Sequence, residues 1–222
     1  MTDLARTDRS RVKRLHERGR YDFDTVAAIL DAGFIGHVGY VIDGKPYVTP
    51  TSYWREGDRV YWHGSSASRM LRAAAQPGEV CLTVAHVDGL VLARSAFHHS
   101  INYRSVMLFG QAHKVEDEAH KLQALENFVE RMVPGRWAQL RPATSQELKA
   151  TMVLSMQIGE GAAKVRTGNP VDDDEDYGWP VWAGVVPLHT VAAAPSDDGR
   201  VVADAVGQPT AASFRHLGIE SP

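Results

Sequence analysis

The chain has 222 residues, 44% of them apolar, with a formal net charge of −3. That allows one large domain or two small ones with a sizeable core, and it offers no whole-chain attraction to nucleic acid. The single cysteine, Cys81, excludes an intrachain disulfide framework and a multi-cysteine zinc site. There is no apolar run of membrane-spanning length and no signal-peptide core, so the expectation is a cytoplasmic protein with no membrane partner.

Residues 1–20 carry seven Lys/Arg against three Asp/Glu and read as a basic tail. Asp24 reads as the N-cap of a helix carrying Val26, Ala27, Ile29 and Leu30, with Gly33 as its stop. Strands follow over 34–42, 46–54 and 59–63. They are joined by Asp43-Gly44 and Glu56-Gly57-Asp58, which are hairpin signals and argue for an antiparallel meander. A short helix over 66–75 precedes strands at 79–87 and 103–115, with Asp88-Gly89 read as a turn. Leu122, Leu125, Val129, Met132 and Val133 have helical period and define a helix over 117–133. Thr144-Ser-Gln-Glu147 has capping-box spacing. Met152, Leu154, Met156 and Ile158 alternate as a strand does, and 181–188 is the last strand. From about 191 to 222 the Ala/Ser/Asp/Gly-rich composition reads as a loosely ordered tail. Residues 21–190 then form one α+β domain, mainly antiparallel β: a closed barrel with peripheral helices.

The segment Tyr61-Trp-His-Gly-Ser-Ser-Ala-Ser-Arg-Met-Leu71 concentrates the chemistry. A strand ends at His63-Gly64 and delivers Ser65, Ser66, Ser68 and Arg69 to a helix start. Free N–H groups, hydroxyls and a guanidinium together suit a phosphate. Ordinary capping by a serine, with Arg69 solvated, explains the same residues. The order of a nucleotide-triphosphate loop is missing, as is the G-x-S-x-G elbow a hydrolase serine would need. His98 and His99 are adjacent and fall on opposite faces of an extended chain, so no metal site is expected. The acidic run 172–176 reads as a solvated loop, and Trp182 either joins the core or offers an indole face to a flat ring.

Five segments together resemble one family. They are Gly36–Pro46, Tyr61–Leu71, Asp88–Ser105, Val133-Pro-Gly-Arg-Trp137 and Trp182–Leu188. The chain resembles the flavin-nucleotide-binding group of the pyridoxamine 5′-phosphate oxidase-like superfamily, which includes the nitroimidazole-resistance reductases. The resemblance covers roughly residues 15–190. It implies a six-stranded split β-barrel that forms a homodimer, with FMN in clefts at the subunit interface. It assigns the flavin phosphate to Ser65, Ser68 and Arg69 beside Gly64, and the ring to the backbone of Thr49, Pro50 and Thr51. Trp62 and His63 would lie beside the ring, with His63 as the catalytic polar neighbour of the substrate. Arg104, Ser105 and Trp182 would come from the second subunit. The arginine and histidine set of true pyridoxamine phosphate oxidases is missing near the C-terminus. The activity implied is therefore an FMN-dependent reduction of a small aromatic or nitro compound with electrons from NAD(P)H. A flavin carrier or sensor is an alternative. So is a haem-binding split barrel, with His63, His86, His98 and His99 as candidate ligands.

Overall fold

The computed structural model describes residues 3–202 and 205–219. The short strand β1 (Gly19–Arg20) precedes the N-terminal helix α1 (Phe23–Asp31). Three long strands follow, β2 (Ile35–Ile42), β3 (Lys45–Glu56) and β4 (Arg59–Ser65), then α2 (Arg69–Ala74). The second half begins with β5 (Val80–Leu92), β6 (Ser100–Gly110) and β7 (Ala112–Lys114). It continues through α3 (Glu118–Met132), α4 (Ser145–Ala150), β8 (Thr151–Gln157), β9 (Glu160–Arg166) and β10 (Gly184–Pro187). The strands run in the order β1-β9-β6-β5-β2-β3-β4-β8-β7, and β10 adds to β5. The architecture is the expected α+β, largely antiparallel barrel, with ten strands in place of six.

Local chemistry explains most of the elements. Asp43 and Gly44 both have positive φ, 50° and 73°, as the two-residue turn between β2 and β3 requires. Thr144 and Glu147 form the reciprocal capping box at α4. α1 is capped by Asp22, whose side chain accepts from Thr25 N–H at 2.8 Å, and not by Asp24. Gly33 does not stop the helix through a positive φ. A Cβ there would lie 2.5 Å from His86 Cε1, so glycine is needed for close approach. The carbonyls left open at the end of α1 are taken by Arg131 of α3, which donates to Leu30, Asp31 and Gly33 oxygens at 2.7–3.0 Å.

Asp88-Gly89 is not a turn. β5 runs on to Leu92, and the ladder to β6 shifts register between Val87 and Gly89. The sequence signal for a turn is spent on a bulge. β9 escapes sequence reading because Gly161, Ala162 and Ala163 carry little β signal. They are small because β9 lies tight on β6: a Cβ on Gly161 would meet Met107 O at 2.4 Å.

The core inside the barrel holds Leu30, Val38, Tyr53, Trp62, Leu71, Leu82, Leu108 and Leu154. A second cluster, Trp54, Tyr61, Val115, Ala124 and Val153, lies outside the barrel under α3. The stretch expected as an N-terminal tail lies on the sheet. Leu4 is buried, Ala5 N–H donates to Gly159 O at 2.8 Å, and Arg9 pairs with both Glu79 and Glu160. At the other end, residues 192–202 carry no regular structure, and a 3₁₀ helix over Ala211–Leu217 returns to the barrel with Leu217 buried.

Gly161→Val forces a side chain against the Met107 carbonyl, which cannot move without breaking the β6–β9 ladder. We expect a loss of about 1–3 kcal/mol in urea unfolding, the usual scale of overpacking. A variant as stable as wild type would show that β9 can shift.

Candidate functional site

The barrel is open at one place. β3 pairs with β2 all the way from Lys45 to Ser52, but with β4 only from Tyr53 to Glu56. β4 pairs with β8 as far as Ser65, yet leaves β3 after Trp62. The two strands therefore part, and Thr49–Ser52 on one lip face His63–Ser65 on the other. Along these lips the backbone groups turned toward the gap have no ladder partner. Such groups require a partner from solvent or a ligand.

Most of the phosphate-type residues gather at the far end of the gap. Ser65 Oγ accepts from Ala67 N–H at 3.2 Å, and Ser68 Oγ caps α2 by accepting from Leu71 N–H at 3.4 Å. Both hydroxyl oxygens thus serve the turn and the start of α2. Arg69 is exposed and makes neither an ion pair nor a hydrogen bond among the described residues; its guanidinium sits 4.8 Å from the Tyr47 ring centroid. Tyr47 in turn stacks on Tyr40, whose hydroxyl meets Thr49 Oγ1 at 3.0 Å. Thr49 and Thr51 are half-buried and Pro50 is exposed on the lip. A cation held in place without a carboxylate, next to open backbone donors, fits an anionic ligand.

Four of the expected residues do not meet the gap within one chain: Trp62, and the three expected from a second subunit. Trp62 is fully buried in the barrel core, so its side chain cannot lie beside a ring; residues alternate across a strand, and His63 takes the outer face. Arg104 and Ser105 lie on β6, with β5 and β2 between them and β3. Arg104 is paired with Asp88 through two hydrogen bonds, at 2.9 and 2.8 Å, and Ser105 Oγ donates to Lys164 O. Trp182 is largely exposed beside Gly184. None of the three reaches the gap within one chain.

His63 is not an open polar group. Its ring lies edge-on to Trp54 and to Phe128 of α3, with centroids at 5.7 and 4.6 Å, and its Nδ1 is buried without a partner. Burial pushes its pKa below the usual histidine value, so the ring is neutral at pH 7. His98 and His99 are engaged with Asp173 and with Ser95 O. The buried Asp172 carboxylate at the head of the acidic run holds Arg94, so that loop is tied to the barrel.

Sequence reading missed the space under the C-terminal stretch. Two cavities lie there, of about 560 and 350 Å³, and both are bounded by Phe34, Thr190 and Ile219. The smaller is apolar and reaches Ser52 on the lip and Phe128 beside His63. The larger extends to His86, Arg104 and His189. No local pattern marks this, because the lining comes from segments far apart in the chain. No helix among the described residues is long and apolar enough to cross a membrane.

A barrel whose wall parts between two neighbouring strands is a split barrel. Residues 22–165 match the family profile described as pyridoxamine 5′-phosphate oxidase, and the chain belongs to that family. Among solved structures, the flavocytochrome Anf3 from Azotobacter vinelandii is 49% identical, with TM-score 0.89 over 99% of this chain and 100% of that one. The FAD and haem binding protein from Mycobacterium smegmatis is 36% identical, with TM-score 0.83 over 90% of this chain and 97% of that one. A 5-nitroimidazole resistance protein from Bacteroides thetaiotaomicron shares the fold, at 20% identity and TM-score 0.56 over 66% of this chain and 86% of that one. No curated protein matches.

His63 supplies a pH test. Its depressed value leaves the unfolded chain holding more protons than the folded one as pH falls. Its contribution is therefore full above the ordinary histidine value of about 6.5 and is lost as pH falls from there through the lower folded value. We expect wild type to lose stability between pH 7.5 and 5 in urea titrations, and His63→Phe to lose less over the same range. Equal losses in the two proteins would assign the acid sensitivity to other groups.

Proposed function

We propose that this protein is a flavin- and haem-carrying electron-transfer protein, with the flavin in the gap between β3 and β4. The observation that carries this is the parted β3–β4 ladder, lined by unpaired backbone and an uncommitted Arg69, in a chain that matches a flavocytochrome from end to end. The resemblance in sequence implied FMN. The two relatives above one-third identity favour FAD with haem, since one is described as binding both and the other as a flavocytochrome.

In this reading Arg69 and the hydroxyls of Ser65 and Ser68 hold the flavin phosphate, and the Thr49–Thr51 backbone supports the ring edge. His63 acts through packing: as a neutral ring it fixes Phe128 at the mouth of the apolar cavity and adds no charge beside the flavin. The bound groups supply the redox chemistry, and the protein supplies position and electrostatics. NAD(P)H is the expected reductant, with haem as the internal acceptor and a small aromatic or nitro compound as the terminal one. The protein acts as a cytoplasmic homodimer in which Ser105 and Trp182 face the second subunit's flavin, while Arg104, expected there from the resemblance, lines the cavity of about 560 Å³ within its own chain. Val41, Val48, Ile101 and Met107 are exposed on the outer strands and give that second copy an apolar surface.

The purified protein should show both flavin bands and a haem Soret band, and acid extraction should release FAD. Release of FMN alone, with no Soret band after haemin addition, would return the protein to the FMN reductase reading. Arg69→Ala should weaken flavin affinity by roughly ten- to a hundred-fold, the loss of one charge-assisted contact of about 1.5–3 kcal/mol. Unchanged affinity in fluorescence titration would leave Arg69 a solvated surface residue.

A further inference from the structure

The C-terminal stretch lies outside the 22–165 region of the family profile, yet the flavocytochrome matches nearly all of this chain. This stretch roofs the cavity of about 560 Å³, a volume in the usual range for a bound organic cofactor. Phe34, Ile35 and Ile219 give the cavity apolar walls, while His86, His189 and Arg104 give it polar ones. That combination suits a flat apolar disc that carries carboxylates and needs a nitrogen ligand.

The two histidines are not equivalent. His86 Nε2 donates to Ile29 O at 2.9 Å, and its ring is wedged below Gly33. Its Nε2 is therefore already in use. His189 makes no hydrogen bond among the described residues and is exposed to the cavity side of the chain end. Its backbone is nonetheless fixed. β10 is laddered to β5 up to Pro187↔Gly89, and the next residue, Leu188, donates its N–H to Asp88 O at 3.1 Å. An imidazole with both nitrogens free thus stands one residue beyond a rigid ladder. Arg104 faces the same space. Asp88 takes its Nε and Nη2 and leaves Nη1 for a carboxylate. The other described histidines do not line this cavity.

We propose that His189 is an axial ligand of a haem held in this cavity, with Arg104 orienting a propionate. The proposal rests on the flavin- and haem-carrying reading above. Placing the haem here also sets it against the smaller apolar cavity that opens toward Ser52 at the flavin gap, so the two groups share one wall of the barrel.

The test uses the full chain. Wild type, His189→Ala and His86→Ala are loaded with haemin and compared by absorption and by electron paramagnetic resonance of the ferric state. Flavin content reports that each variant is folded. Expected for His189→Ala are a changed ferric spin state, haem affinity lower by about tenfold or more, normal flavin content, and return of the wild-type spectrum on adding imidazole. A wild-type haem spectrum in His189→Ala overturns the ligand assignment and leaves the haem reading intact. So does loss of the wild-type spectrum in His86→Ala alone. A wild-type protein that takes up flavin but no haem overturns the haem reading itself.

Discussion

The constraint on which the rest depends is the short ladder between β3 and β4. β4 is paired with β8 along its whole length, whereas β3 pairs with β2 from Lys45 to Ser52 and then changes partner to β4. They hold each other only from Tyr53 to Glu56 and Arg59 to Trp62. Strand twist makes continued pairing on both edges hard to sustain in so small a barrel. The core then fixes where the parting begins. Tyr53 and Trp62, opposite one another at the last rung, are both fully buried and fill the barrel at that level. Beyond them the strands diverge and leave a lined gap in the wall.

What surrounds the gap is arranged to keep it from closing. Arg69 rests on Tyr47, and Tyr47 on Tyr40, so the far end is spanned by aromatic faces and one exposed cation. On the outer side α3 lies over Trp54, Tyr61 and His63 and builds a second small core. Arg131 ties α3 to the end of α1 through three carbonyls, so the helix that covers His63 cannot slide independently of the barrel. The neutral His63 is a consequence of this cover.

The C-terminal stretch adds a layer that the family profile does not contain. β10 is anchored on β5 just beyond the bulge at Asp88, and the chain then passes over the loop between α1 and β2. The bulge matters here. It re-aims β5 so that Asp88 meets both Arg104 and the Leu188 N–H. One irregular residue thereby links an ion pair, a strand end and the wall of the largest cavity.

Much of this was legible in the chain. Asp43-Gly44, the Thr144 capping box and the alternation of Met152 to Ile158 each state a local hydrogen-bond or packing rule, and each is met; the period of Leu122 to Met132 gave the helix, although the residue it buries is Ala124 and Leu122 is exposed. The lip residues Ser65, Ser68 and Arg69 were legible for the same reason. What failed depended on distant partners. Trp62 and His63 are neighbours, and only the pairing register decides that the tryptophan fills the core while the histidine faces α3. Asp88-Gly89 has the composition of a turn, and only its long neighbours make it a bulge. Gly161 to Ala163 carry no strand pattern, because their smallness answers to the β6 backbone. His189 has no motif at all. The sequence by itself determined most of the elements and the tight hairpin and cap signals, since those rest on contacts within a few residues. The tertiary structure alone decided where the barrel splits, which histidine is buried and which is free, because those follow from strand register and from segments brought together across the chain.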